Sequence, residues 1–265
     1  MSSTPSSRAL NAGPRDWDAE TYDRVSDPQF GWGMEVLERL ELAGDETVLD
    51  AGCGSGRVTA ELLKRLPRGR VIAVDASPSM LAKARENLGD RVRYSEQDLA
   101  ELEIDEPVDV VFSTATFHWI ADHEGLFARV HDALVPGGRL HAQCGGAGNV
   151  REHAEAIARV TRRAEFAPHF EGMPTIWNFA TAGDTERRLD DAGFVDVRTW
   201  LEPKPLQPER PREFIRTVTL GPHLAFLPDD HPELREAFVE AVAAEMDEPL
   251  TLGYVRLNIE AGRPA

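Results

Sequence analysis

The segment VLDAGCGSGRVTAELLKRLPRGRVIAVDAS, Val48 to Ser77, constrains this chain more than any other. A short apolar burst ends in Asp50 and is followed by glycines on alternate positions, Gly52, Gly54 and Gly56. An amphipathic run then stops at Pro67, and a second apolar burst closes on Asp75. Strand, glycine turn, helix, strand is the repeating unit of a parallel sheet, because parallel neighbours need a long crossover and that crossover is usually a helix. The alternation continues downstream. PSMLAKARENL reads as a helix with Ser77 as its cap and Pro78 in its first turn, and DRVRYSEQDL and VDVVFSTATF as strands. HEGLFARVHDAL reads as a helix, and GGRLHAQC as a fifth strand after a turn at Pro136, Gly137 and Gly138.

The flanks behave differently. Residues 1–15 are rich in Ser, Pro and Gly and are expected to be disordered, whereas residues 16–42 space their apolar residues by three or four and read as helical. After Gly148 the rhythm loosens into a helix (VREHAEAIARVTRRAEF), an aromatic loop (APHFEGMPTIWNFA), a helix (DTERRLDDAGF) and a strand (VDVRTWLEP). Residues 209–248 read as helices interrupted by proline, and LTLGYVRLNIEAG as the closing strand. The expectation is a single domain over 16–265. Within it, 16–42 form an N-terminal helical lid, and the helical insertions 151–182 and 209–248 form a substrate cap.

Bulk properties narrow the function. At 265 residues and 42% hydrophobic content the chain can bury one full core. A net charge of −17 works against phosphate backbones and anionic lipid, so neither nucleic acid nor membrane is an expected partner. No run of 18 apolar residues and no leader-like stretch occurs, and a cytoplasmic protein is expected. Two cysteines, Cys53 and Cys144, are too few for a disulfide framework, and no histidine spacing suggests a metal site.

In a parallel α/β sheet the loop after the first strand meets the ligand at the strands' carboxyl ends, where glycine lets the backbone come close. A dinucleotide fingerprint needs GxGxxG, and here the third glycine position is Arg57. Asp50 would also lie beside a pyrophosphate and repel it, whereas a cationic ligand would be attracted. A nicotinamide oxidoreductase is disfavoured on both counts.

VLDAGCGSGR, VIAVDAS, SEQDL and VFSTATFHW, in that order over about Thr47 to Gly146, resemble the class I S-adenosylmethionine-dependent methyltransferases. The resemblance implies a Rossmann-like, doubly wound α/β fold. Its seven-stranded, mostly parallel sheet has an antiparallel last strand, and a helical lid covers it. It implies S-adenosyl-L-methionine as cofactor and S-adenosyl-L-homocysteine as product. By the same resemblance Asp50 holds the methionyl ammonium, and Gly52 and Gly54, with Cys53 between them, border the methionine part. Asp75, next to Ala76, takes the ribose hydroxyls. Asp98 takes the adenine amino group, with Leu99 in apolar contact with the base, and Met80 packs on the base or belongs to the helix core. The backbone of Thr114 borders the methionine tail. DWDAETYDR resembles members in which aromatic residues fold over the cofactor, making Trp17 and Tyr22 lid candidates and Trp32 a further one; the alternative is a core-facing stripe on a helix.

The acceptor side is expected around TFHWI. His118 is the best-placed titratable group, as a base, as a hydrogen-bond partner for an acceptor carboxylate, or as a cap on the next element. Phe117 and Trp119 are pocket wall or packing. Tyr254, Arg256 and Asn258 share one face of the closing strand by the period-two rule. Arg256 binds a substrate carboxylate or forms a structural salt bridge, and Tyr254 lies nearer the ligand edge. Arg151, Arg159, Arg162 and Arg163 draw an anionic substrate or form a solvated face. DWDAETY, FHWI and GYVRLNIEA together look most like the trans-aconitate methyltransferase group, which implies a small-molecule acceptor methylated on a carboxylate or hydroxyl oxygen. C- or N-methylation, or a non-catalytic cofactor-binding scaffold, are the alternatives.

Overall fold

The computed structural model describes residues 19–265. Two helices, α1 (Ala19–Val25) and α2 (Asp27–Arg39), lead into β1 (Thr47–Ala51), α3 (Arg57–Lys64), β2 (Arg70–Asp75), α4 (Pro78–Leu88) and β3 (Val92–Glu96). The second half of the sheet is built from β4 (Val108–Thr114), α5 (His123–Ala133) and β5 (Leu134–Gly145). Then come α6 (Arg151–Val160), α7 (Ala167–Phe170), α8 (Ala182–Asp191), β6 (Val195–Pro203), α9 (Pro211–Phe214), α10 (Gly221–Leu224), α11 (Pro232–Ala244) and β7 (Val255–Gly262). The strands form one seven-stranded sheet in the order β3-β2-β1-β4-β5-β7-β6. All its pairs are parallel except those of β7, which runs antiparallel to both β5 and β6.

The apolar runs of the central strands are buried on both faces, as the period-two alternation requires. Leu49, Ala51, Ile72 and Val74 pack on one side with Leu126, Phe127 and Leu189 of α5 and α8. Val48, Val71, Ala73, Val110 and Phe112 pack on the other with Val36, Leu62 and Ala84 of α2, α3 and α4. A third cluster joins α6, α9 and α11 to Trp32 and Tyr254, with Tyr22, Val25, Trp177 and Phe179 against it. No helix among the described residues is long and apolar enough to cross a membrane.

The strand order reverses between β1 and β4, so the loops leaving these strands diverge and open a crevice. That geometry brings the glycine turn after Asp50 and the segment after Thr114 together. Two expectations change in detail. The helix anticipated over 150–166 ends at Val160, where tight turns link Arg162 and Arg163 back to Arg159 and Val160 and bring Arg163 to Glu245. The fifth strand starts earlier, at Leu134. Pro136, Gly137 and Gly138 are an irregularity inside it, since Val108 pairs with Leu134 and Val110 with Arg139.

Candidate active site

A cavity of about 240 Å³ opens at the carboxyl ends of the strands. The glycine turn forms its floor, the ends of β2, β3 and β4 one wall, and α1, α2 and the third cluster its cover. Asp50 ends β1 at 2% exposure, and Thr59 Oγ1 of α3 donates to its Oδ2 at 2.6 Å. Burial pushes the carboxyl up to about 7; the Thr59 hydrogen bond opposes this and the nearby Asp75 charge adds to it. Asp75 accepts from the backbone amides of Gly54 at 2.8 Å and Ser77 at 2.9 Å, so the acid that ends β2 also fixes the glycine turn. Burial raises its carboxyl too, against those hydrogen bonds. Asp98 accepts from the Ala100 amide at 2.9 Å and lines the same cavity beside Leu99. Met80, one turn into α4 and 4% exposed, also reaches it. Burial, with Asp50 and Asp75 alongside, drives the Cys53 thiol well above its ordinary value, so it stays protonated.

Two glycines are needed for different reasons. A β-carbon on Gly52, at φ +85°, would meet Thr116 Oγ1 at 2.2 Å, so this glycine lets the β4 loop close on the turn. A β-carbon on Gly54, at φ +54°, would meet nothing within 4 Å and would project into open space beside the cavity. Gly52→Ala should therefore destabilise the fold by about 2–3 kcal/mol, measured by urea unfolding; a loss within 0.5 kcal/mol, about the size of a neutral surface change, would refute the packing account.

Arg57, which breaks the dinucleotide fingerprint, has a structural task. Its Nη1 donates to Asp23 O at 2.9 Å and Ser26 Oγ at 3.3 Å, its Nη2 to Asp27 Oδ1 at 2.6 Å, and its guanidinium lies 4.8 Å from the Phe30 ring centre. Ser55 Oγ donates to Asp23 Oδ1. The glycine turn thus holds α1 and α2 over the crevice, with Tyr22 and Phe30 lining it.

On the opposite wall, His118 is 7% exposed and its Nδ1 accepts the Gly145 amide at 3.2 Å. A backbone N–H only donates, so the neutral ring carries its proton on Nε2. Burial first, then the Arg256 and His123 charges, hold its pKa well below the ordinary value. Arg256 is 2% exposed and lines the cavity. Its Nε donates to Gln143 Oε1 at 3.2 Å, its guanidinium lies 4.9 Å from the Trp32 ring centre, and its Nη2 is buried with no hydrogen-bond partner. Gln143 is held in turn by donating to Asn258 Oδ1 at 3.0 Å, and Asn258 also accepts from Arg39 at 2.7 Å. Among the described residues no carboxylate pairs with Arg256, contrary to the salt-bridge alternative. Burial therefore lowers its pKa.

Of the residues singled out from sequence, Tyr22, Asp50, Gly52, Cys53, Gly54, Asp75, Ala76, Met80, Asp98, Leu99, Thr114, His118, Trp119, Tyr254 and Arg256 all line this cavity. Trp32 and Phe117 do not. Trp32 lies behind the wall, its ring 4.9 Å from that of Tyr254, and Phe117 is 1% exposed in the core against Phe127. Trp17 lies outside the described residues. Arg159 and Arg163 pair with Glu245 away from the cavity, and neither Arg151 nor Arg162 lines it. Sequence reasoning missed Phe30, Arg57, Trp177, Phe179, Val218 and Thr219 as lining residues. Arg57 at the failed glycine position and the aromatic stretch TIWNFA were the signals that could have found them. Val218 and Thr219 sit on a π-helical turn, Ile215–Thr219, that no periodicity announces.

Residues 48–138 match a family described as "Methyltransferase domain". A trans-aconitate 2-methyltransferase from Methylobacterium nodulans is 33% identical over 70% of this chain and 67% of its own length. One from an Azoarcus species is 29% identical over 86% of this chain and 90% of its own. Among solved structures, a Haemonchus contortus phosphoethanolamine N-methyltransferase, in complex with S-adenosylhomocysteine, superposes with a TM-score of 0.60 at 20% identity. It covers 93% of this chain and 57% of that one. The shared fold, the ordered motifs and the sequence relatives lead to one conclusion: this chain belongs to the class I S-adenosylmethionine-dependent methyltransferases and is most like the trans-aconitate group.

Proposed function

We propose that this enzyme methylates a carboxylate oxygen of a small organic acid. The observation that carries this reading is the buried Arg256 guanidinium at the cavity wall with Nη2 unpartnered, since an uncompensated buried cation calls for an anionic ligand. The relatives named trans-aconitate 2-methyltransferase support it. S-adenosylmethionine, when bound, supplies an electrophilic methyl group. The buried acids Asp50 and Asp75 and the open space beside Gly54 fit a ligand bearing an ammonium, a ribose and a sulfonium. In this reading Asp50 holds the ammonium, Asp75 the ribose, and Asp98, Leu99 and Met80 the base. The segments 16–42, 151–182 and 209–248 act as lid and cap, excluding water from the cavity.

An ionised carboxylate already carries its nucleophilic charge, so no base is needed. His118 suits this: with its proton on Nε2, it donates a hydrogen bond and does not abstract a proton. Arg256 and His118 together orient the acceptor. With donor saturating, kcat/KM for the acceptor should stay flat between about pH 6 and pH 8, because no histidine titrates in the reaction. A descending limb on the acid side of pH 7 that His118→Gln abolishes would restore the base. The product itself provides the direct test. Labelled donor incubated with a small-acid fraction should give a product whose label is released by mild alkali as methanol; a base-stable label would overturn the ester.

A further inference from the structure

The acceptor cavity carries more information than its cation. Four rings in mutual contact form one aromatic wall of it. His118 lies 4.8 Å from Trp119, Trp119 6.3 Å from Trp177, Trp177 5.4 Å from Phe179, and Phe179 5.8 Å from His118, and all four line the cavity. Trp177 and Phe179 are stacked, with 18° between their planes. Ile120 and Val218 extend the apolar wall. Set against this surface, the lining residues described offer two cations. Arg57 is engaged by Asp23, Ser26 and Asp27, which leaves Arg256 as the single cation open to a ligand. The remaining ionisable carboxyls of the lining, Asp50, Asp75 and Asp98, are assigned to the donor and offer no pairing to a further anion.

Building on carboxylate methylation as the reaction, we infer that the natural acceptor is a monocarboxylate with a flat, unsaturated or aromatic body, its single carboxylate at Arg256 and His118 and its body against the wall of Trp119, Trp177 and Phe179. A tricarboxylate fits this cavity poorly. Its second and third carboxylates would be desolvated against indole and phenyl rings with no cation to meet them. An aromatic surface can also hold a cationic ligand, but Arg256 in the same wall repels one.

The test compares trans-cinnamate with trans-aconitate, using the full chain and labelled S-adenosylmethionine, and measures binding of each acid to the complex with S-adenosylhomocysteine by calorimetry. The inference expects base-labile methyl cinnamate with kcat/KM at least about tenfold above that for aconitate, and a matching order of affinity. Trp177→Leu should lower kcat/KM for cinnamate by about tenfold and leave S-adenosylhomocysteine affinity within about twofold; Phe179→Leu, read in the same way, covers the case in which Trp177→Leu fails to fold. Preference for aconitate in both turnover and binding would overturn the inference while leaving carboxylate methylation intact. If neither acid binds or turns over, and an amine or phenol is methylated instead, both fall.

Discussion

Arg256→Met should sharply lower acceptor turnover without unfolding the protein. The guanidinium is buried, lacks a carboxylate partner and leaves Nη2 unsatisfied, so the ligand-free protein holds a charge that is costly to desolvate. A thioether of similar length removes that penalty, although Gln143 Oε1 loses its donor. The expected melting midpoint is therefore no lower than that of the parent. Removing one partner of a buried charge pair costs about 2–5 kcal/mol, so kcat/KM for the acid should fall by about thirtyfold or more, with S-adenosylhomocysteine affinity within about twofold. The combination is diagnostic, because a structural arginine would lose stability first. A variant that melts well below the parent, or that methylates the acid at the parental rate, would contradict the role assigned to Arg256.

Asp50→Asn should weaken donor binding by about ten- to a hundredfold, the scale of one charge-assisted hydrogen bond. Its effect on stability has a definite sign. The Asp50 carboxyl titrates near 7 in the fold, against 3.8 ordinarily, so the folded protein binds a proton there that the unfolded chain has released. Stability from this group is complete below about pH 4 and is lost as pH rises through about 7. The parent's midpoint, measured relative to that of Asp50→Asn, should therefore decline across that window. The asparagine can still accept from Thr59 and carries no charge to desolvate. Donor binding should reverse the burden: an ammonium beside Asp50 favours the carboxylate, so binding near pH 6 releases a proton. Calorimetry in buffers of different ionisation enthalpy would detect it. Equal proton counts for parent and variant would remove Asp50 from the ammonium site.

The part of the cavity proposed for the donor was legible in the sequence because it is made of local units. Asp50 and Asp75 lie at the ends of β1 and β2, whose apolar bursts mark them, and Gly54 and Asp98 just beyond β1 and β3; a parallel sheet aligns those ends without further information. The acceptor half is assembled from distant segments. Trp177 and Phe179 come from a loop without periodicity, and Val218 and Thr219 from a π-helical turn. Their arrival at Trp119 depends on how α6, α9 and α11 pack, which hydrophobic spacing along each helix does not determine. Trp32 and Phe117 show the converse limit. Both sit next to cavity residues in sequence or space, and both point into packing, because a large ring one position along a helical turn faces another way. Arg256 lies between: its strand face was readable from alternation, but the missing acid partner was not.

The clasp between Arg57 and the two N-terminal helices is partly ionic, and so it responds to ionic strength. Asp27 is well exposed, so added salt screens its attraction to the guanidinium. If α1 and α2 serve as the proposed lid, loosening that clasp should let product leave faster. Turnover limited by departure would quicken at moderate salt and slow again once the donor is held too weakly. That clasp stands at the position where a third glycine would have been.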